Sequence, residues 1–276
     1  MKAALVQLCS SDDPVANLPI VENFITEAAG AGATFVLTPE VTNCVSGSRT
    51  HQRAVLQSEE DDITLAGLRQ KAADLQIWLL IGSLALTSDD PDGRFVNRSF
   101  LISPDGDIAA RYDKIHMFDV AVTEAETYRE SAGYRPGDRA VIADCPFGRV
   151  GLSICYDLRF PHLYAALAQA GAHVLTVPSA FSQLTGVAHW EALLRARAIE
   201  TGCYVLAPAQ TGDHKVSRGR PRRTYGHSLA ISPWGEVIVD GGEGPGIHIF
   251  EISTKSVEEA RRKIPSLAHV RPFQGP

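Results

Sequence analysis

Apolar positions fall into short uninterrupted runs, separated by segments in which apolar residues recur at helical spacing. The first run, Lys2 to Leu8, predicts a strand; Asp12-Asp13-Pro14 ends it and opens a helix through Ala29, closed by Gly30 and Gly32. Ala33 to Leu37 predicts the next strand, with Thr38-Pro39-Glu40 at its end. The acidic stretch Glu59 to Asp62 precedes a helix through Ala73, and Ile77 to Leu86 predicts a strand. A turn at Asp89 to Gly93 leads to a hairpin, Arg98 to Ser103 and Ile108 to Tyr112, folded around Pro104-Asp105-Gly106. Lys114-Ile115-His116 follows, and then a long polar segment to Asp138.

The most informative pattern is Arg149 to Ser179. Val150 to Ile154 is short, apolar and β-branched, as a buried strand requires. After a polar turn, Pro161 suits the first position of a helix, where its missing N–H costs nothing. Leu163, Ala166, Leu167 and Ala170 recur at helical spacing, Gly171 closes the helix, and His173 to Val177 predicts a second buried strand. The unit is βαβ, with Cys155 at the carboxyl end of its first strand, where open α/β sheets bind ligands. A buried structural cysteine has no need of the polar turn Tyr156-Asp157-Leu158-Arg159 directly after it. A nucleophile does, because a tight turn exposes the sulfur and points the next backbone N–H at an incoming carbonyl.

The two halves of the chain repeat one another. Gly32 to Glu40 parallels Gly171 to Ser179, each after an Ala-rich helix, and the hairpin at Ser103-Pro104 parallels Ser232-Pro233. This predicts an α/β fold of two pseudo-symmetric βαβ-type halves, with two sheets face to face and helices outside. Residues 1–252 read as one domain. Residues 253–276, with a charged helix Val257 to Lys263 and a Pro-containing tail, read as an appendage packed on that domain or on a partner subunit.

Composition narrows the class. A chain of 276 residues with net charge −6 has no overall field for nucleic acid or an anionic membrane. The apolar run after Lys2 is too short for a signal peptide, and Ile77 to Leu86 is half a membrane span, so a cytoplasmic protein is expected. Five widely spaced cysteines (Cys9, Cys44, Cys145, Cys155, Cys203) without a Cys-x-x-Cys pair suggest neither a disulfide framework nor a zinc knuckle. Cys9 and Cys203 read as core. The histidines lack metal-ligand spacing, and neither a metal nor a cofactor is expected.

Three polar residues sit where strands end: Glu40, Lys114 and Cys155. A thiol at its free pKa is mostly protonated at neutral pH and needs a base or a nearby cation. Glu40 fits the base, and Lys114 fits a cation that lowers the thiol pKa and holds a developing oxyanion. Each also has a plainer reading: a core cysteine, a solvated strand end, a surface lysine. Glu130 alone reads as a solvated loop carboxylate.

Thr38-Pro39-Glu40, Tyr112 to Asp119, Glu130-Ser131 with Pro136-Gly137-Asp138 after it, and Gly151 to Pro161 together resemble the nitrilase superfamily of carbon–nitrogen hydrolases. The resemblance implies a four-layer αββα sandwich, with Glu40, Lys114 and Cys155 as catalytic residues, Glu130 as the second glutamate, and a homodimer or higher homo-oligomer. Pro178 to Phe181, Thr185 to Glu200, Tyr225-Gly226-His227-Ser228 and Pro233-Trp234-Gly235 resemble the deaminated glutathione amidase branch, and Cys155-Tyr156-Asp157 favours an amidase over a nitrilase. The implied reaction converts a small carboxylate-bearing amide to acid plus ammonia through a thioester. Tyr156, Arg159, Phe181 and His189 are the expected oxyanion and substrate contacts, and burial is expected to raise the Glu40 pKa so that it serves as base and then acid. Alternatives within the superfamily are an ω-amidase acting on α-keto acid amides and an N-carbamoyl-amine hydrolase.

Arg195 and Arg197, two apart on one helix, point to different faces, and one is expected to pair with Glu191 or Glu200. The run Lys215 to Arg223 is basic within an acidic chain. It reads as a solvated loop, as a lid whose arginines attract a carboxylate, or, least favoured, as a nucleic-acid patch. Two readings from other classes stand beside the enzyme: a binding protein that kept the fold without activity, and a nucleic-acid binder acting through that loop.

Overall fold

The first half of the chain runs β1 (Lys2–Gln7), α1 (Pro14–Gly30), β2 (Phe35–Leu37), α2 (Arg49–Val55), α3 (Ile63–Leu75), β3 (Trp78–Leu86), β4 (Val96–Ile102) and β5 (Ile108–Asp113). A small hairpin, β6 (Asp119–Ala121) and β7 (Thr127–Arg129), leads to the second half. That half runs β8 (Val141–Cys145), β9 (Gly148–Leu152), α4 (Pro161–Gln169), β10 (Val174–Thr176), α5 (Gln183–Thr201) and β11 (Tyr204–Ala207). It continues through β12 (Thr211–Asp213), β13 (Arg223–Tyr225), β14 (Leu229–Ile231), β15 (Val237–Asp240), β16 (Gly246–Glu251) and α6 (Thr254–Lys263). This computed structural model describes residues 1–123 and 127–275. The last residue of the tail and three residues of the polar segment before Asp138 therefore lie outside the described residues.

Helix starts follow local chemistry. The Asp13 carboxylate accepts the N–H groups of Val15 and Ala16, with Pro14 at the first helical position of α1, and Asp62 caps α3 through the Leu65 N–H at 2.8 Å. Gly32 and Gly171, at φ 89° and 93°, carry the chain out of α1 and α4 through the left-handed region.

Two six-stranded sheets have the same plan. In the first, β1, β2 and β3 are parallel, β4 and β5 continue antiparallel, and β16 pairs antiparallel with the free edge of β1. In the second, β9, β10 and β11 are parallel, β14 and β15 continue antiparallel, and β8 takes the place of β16. The pseudo-repeat read in the sequence thus equates β2 with β10 and β4 with β14.

Alternation along β1 defines the layers. Ala3 and Leu5 join Phe35, Leu37 and Leu80 against Val150, Leu152 and Val174 of the other sheet. Ala4 and Val6 face the opposite way, onto Val21 and Ile25 of α1 and Leu65 and Leu68 of α3. The outer face of the second sheet is covered by Tyr164 and Leu167 of α4 and by Trp190 and Leu194 of α5. The result is an αββα sandwich, and each fully buried leucine in it contributes about 2 kcal/mol. Helix α6 packs on the second half: Val257 and Ala260 are buried, and Arg261 donates to the carbonyls of Ala172 and Thr201 at 2.6 and 3.1 Å.

Candidate active site

Glu40 lies just past β2, on a turn fixed from three directions. The Val41 N–H donates to Ser83 Oγ at 2.8 Å, Thr42 Oγ1 donates to the Pro39 carbonyl at 2.7 Å, and the Gly82 N–H donates to Thr38 Oγ1 at 3.1 Å. Val41 takes φ 47°, a strained conformation for a β-branched residue, directly after the carboxylate. Only glycine fits at position 82, because a Cβ there would lie 2.0 Å from the Thr38 carbonyl oxygen and 2.5 Å from Pro178.

Lys114 follows β5, and its N–H donates to the Asn97 carbonyl at 3.0 Å. Cys155 opens a 3-10 helix, Cys155–Arg159, also at positive φ, 49°. Its own N–H is taken by the Pro178 carbonyl at 3.0 Å. The Tyr156 N–H belongs to the first turn, whose N–H groups have no acceptor within the helix. Asp157, fully buried, ties this turn to the strand bearing the lysine. It accepts the Ile154 N–H at 2.9 Å, the Tyr112 hydroxyl at 2.7 Å and the His116 N–H at 3.0 Å, with His116 Nδ1 at 2.7 Å. From α5, Arg197 holds the Leu158 carbonyl with Nε at 3.1 Å and Nη2 at 2.8 Å.

These ends converge. Lys114 Nζ lies 2.9 Å from Glu40 Oε1 and 2.9 Å from each oxygen of Glu130. Glu130 is itself held by the Phe118 N–H at 2.6 Å. Glu40 accepts two further bonds, from Asn97 Nδ2 at 2.9 Å and from the Ala180 N–H at 2.8 Å. All four sequence-derived residues, Glu40, Lys114, Glu130 and Cys155, line one cavity of about 670 Å³.

Burial pushes the Glu40 carboxyl up, but Lys114, with help from Arg222, outweighs it and holds the pKa below the usual carboxylate range. The expectation that burial would raise it is corrected: the ammonium in contact dominates. Burial penalises the Lys114 ammonium, and Glu130 and Glu40 more than compensate, so its pKa stands well above normal. Burial and then the Glu40 charge push the Cys155 thiol far up; Lys114 acts in the lowering direction, as expected, without prevailing. The resting site is a neutral thiol beside an ionised carboxylate and an ammonium.

Of the expected substrate contacts, Tyr156 and Phe181 line the cavity, and Arg159 and His189 do not. Arg159 stacks outside, its guanidinium 5.9 Å from the Tyr156 ring and 5.8 Å from Phe181, with Nη2 3.2 Å from His189 Nδ1. Cys203 is buried and Cys9 is exposed, because β1 ends at Gln7, before it. Arg195 and Arg197 each find a partner, Glu191 at 3.3 Å and Glu200 at 2.9 Å. Two contacts to Glu40, from Asn97 and Ala180, were given no role in the sequence reading, whereas Arg222 belongs to the basic run read there as a solvated loop, a lid or a nucleic-acid patch. Arg222 lines the cavity and donates from Nη2 to the Ala180 carbonyl. Its position within a basic run was the only signal of its place.

The carbon–nitrogen hydrolase pattern matches residues 2–262. Deaminated glutathione amidase of Synechocystis is 40% identical over 269 residues, 97% of each chain. The protein of the same name from Yersinia enterocolitica is 38% identical, over 97% of this chain and 92% of that one. The NitFhit protein of C. elegans superposes with a TM-score of 0.89 at 34% identity over 98% of this chain, which spans 65% of that longer chain. With a family match and such identities over almost its whole length, the chain belongs to the carbon–nitrogen hydrolase family.

Proposed function

We propose that this carbon–nitrogen hydrolase cleaves a small carboxylate-bearing amide of the deaminated glutathione kind through a thioester on Cys155. The observation that carries the reading is the buried Glu40–Lys114–Glu130 arrangement sharing one cavity with Cys155. The name carried by the Synechocystis and Yersinia relatives supports the substrate class.

In this reading Glu40 takes the thiol proton as sulfur attacks the amide carbonyl, so a neutral thiol beside an ionised carboxylate is the correct starting state. Lys114 and the Tyr156 N–H hold the oxyanion, each worth about 3 kcal/mol. Glu40 returns the proton to the departing nitrogen as the C–N bond breaks. It then deprotonates water, which attacks the thioester carbonyl, and the sulfur leaves as thiol. Glu130 fixes Lys114. Glutathione has no primary amide, so a substrate of that kind releases an amine where the sequence reading expected ammonia.

The test is intact-mass analysis during turnover of deaminated glutathione and of α-ketoglutaramate, with amine and ammonia release measured together. An acyl adduct on the wild type and none on Cys155→Ala is expected. An adduct that maps to Cys203 refutes the assignment. A homodimer belongs to the same proposal, supported by the exposed Leu184, Val187 and Ile199 of α5, and sizing in solution tests it. So does a cytoplasmic location, supported by five free cysteines; among the described residues no helix is long and apolar enough to cross a membrane.

A further inference from the structure

Asn97, on β4, is buried and lines the cavity. Its backbone carbonyl accepts the Lys114 N–H at 3.0 Å, and its Nδ2 donates to Glu40 Oε1 at 2.9 Å. An ionised carboxylate only accepts, so this contact settles which way the side-chain amide is turned. Oδ1 is left as a buried acceptor, and among the described residues no protein donor reaches it. Of the five buried side-chain atoms in that condition, two belong to cavity residues, Asn97 Oδ1 and Arg222 Nε, and only the first is an acceptor. Buried polar atoms are rarely left unpaired, so each such atom calls for a partner.

The neighbouring groups do not supply the missing donor. Lys114 has three N–H groups and three contacts at 2.9 Å, to Glu40 Oε1 and to both oxygens of Glu130. The Ala180 N–H is on Glu40 Oε2 at 2.8 Å. The acceptor sites of Glu40 are unevenly filled as a result: Oε1 takes two donors, Lys114 and Asn97, and Oε2 takes one. Oε2 therefore keeps a lone pair for the protons that move during the reaction. A water that gives one proton to Glu40 has a second O–H to place in a site with little solvent. Nδ2 and Oδ1 of Asn97 share one carbon, so a water in contact with Glu40 on this side is in reach of Oδ1.

We propose that Asn97 Oδ1 is a catalytic acceptor that holds the hydrolytic water of the deacylation step against Glu40 and the thioester carbonyl. The water oxygen bonds to the carbonyl carbon. One of its protons passes to Glu40, and the other stays on that oxygen, hydrogen-bonded to Asn97 Oδ1. The C–S bond then breaks, Glu40 gives its proton to sulfur, and the products are the free acid and the neutral Cys155 thiol. An amide suits the task because it accepts without charge, whereas a second carboxylate so close to Glu40 would repel it. This inference rests on the thioester reading and goes beyond it by assigning the acceptor that aims the water.

The experiment lets water and hydroxylamine compete for the thioester during turnover of deaminated glutathione. The ratio of hydroxamate to acid is read at a pH where Glu40 is ionised in every variant. Hydroxylamine attacks in its neutral form without first giving up a proton, so it depends less on an anchor than water does. Asn97→Leu is expected to raise the ratio about tenfold, the effect of losing one hydrogen bond. Asn97→Ser, whose hydroxyl both donates and accepts, should bring it part of the way back. The sign separates the two ends of the amide: loss of the Nδ2 donor alone makes Glu40 more basic, which favours hydrolysis and lowers the ratio. A lowered ratio in Asn97→Leu, or an unchanged one with both products falling together, overturns the assignment, and Asn97→Ser is read in the same way if the leucine variant does not fold. If the wild type forms no hydroxamate, the thioester reading fails. The water site is then judged by a crystal structure of the wild type: a water within hydrogen-bond distance of both Asn97 Oδ1 and Glu40 supports it, and a protein donor on Oδ1, or no water there, overturns it.

Discussion

Replacing Lys114 by Met removes one ammonium from between two carboxylates and keeps an unbranched side chain one atom shorter. Lys114 and Glu40 are 2% and 4% exposed, so their charges have almost no water to fall back on. Loss of one partner from a buried pair costs about 3–5 kcal/mol. The three contacts at 2.9 Å would sum to more, but one orphaned carboxyl escapes part of the penalty by taking up a proton. That escape makes the pH dependence diagnostic. In the wild type the folded Glu40 pKa is depressed, so its contribution to stability is present above the unfolded value and is lost as pH falls through the folded one. Without Lys114, burial outweighs the remaining Arg222 charge and the Asn97 and Ala180 donors, the folded pKa rises above the unfolded one, and the sign reverses: acidification relieves the variant. Urea unfolding of both proteins from pH 7 to pH 5 should show the gap between them narrowing, by about 1.4 kcal/mol for each tenfold gain in proton affinity at Glu40. In the proposed mechanism Lys114 is an oxyanion donor and Glu40 the base, so turnover of the variant should fall by at least about 10²-fold. A stability gap constant across that range would refute the claim that Lys114 keeps Glu40 charged.

Asn97→Leu removes one donor to Glu40 Oε1; the acidic limb of the kcat/KM profile should move to higher pH with kcat reduced about tenfold, and an unmoved limb would count against a positioning role. Gly82→Ala drives a methyl into backbone that cannot rotate away; it should cost at least about 1–3 kcal/mol in thermal unfolding and displace Glu40, and a variant with wild-type Tm and activity would contradict that packing. Asp157→Asn leaves an amide where four hydrogen-bond contacts need a carboxylate; a loss of about 2–4 kcal/mol with slowed alkylation of Cys155 is expected, and unchanged iodoacetamide kinetics would separate this network from the cysteine turn.

Much of the scaffold was legible because strand ends and helix caps are written locally. Pro14, Asp62, Pro161, Gly32 and Gly171 all act within a few residues of where they stand. Strands β8 and β16 were not foreseen, since each is an outer strand whose pairing partner, β9 or β1, buries it from the side. Glu40, Lys114 and Cys155 were readable as chemistry at strand ends. Asn97 was not, because a polar residue inside β4 looks like ordinary alternation until Glu40 is seen opposite it. Ala180 acts through its backbone, which no side-chain pattern encodes. Arg159 and His189 were misplaced for a related reason: their pairing with each other lies on the outer side of Tyr156 and Phe181, a distinction of face that spacing along a 3-10 turn does not carry.

The pseudo-symmetric halves use their equivalent strand ends for different jobs. After β2 the chain reads Pro39-Glu40-Val41, and after β10 it reads Pro178-Ser179-Ala180. The first end supplies the carboxylate; the second supplies backbone only, the Ala180 N–H to Glu40 and the Pro178 carbonyl to the Cys155 N–H. Gly82 is the space through which the two ends touch. Neither half alone holds the site, because Glu40, Lys114 and Asn97 come from one sheet and Cys155 and Ala180 from the other. Burying an ammonium and a carboxylate is repaid only when their geometry is completed by further hydrogen bonds. One of those bonds, from the Ala180 N–H to Glu40, crosses between the sheets, so closure of the sandwich completes the hydrogen bonding of the charged cluster, and a partly opened molecule leaves the Glu40 carboxylate short of that donor and away from Cys155.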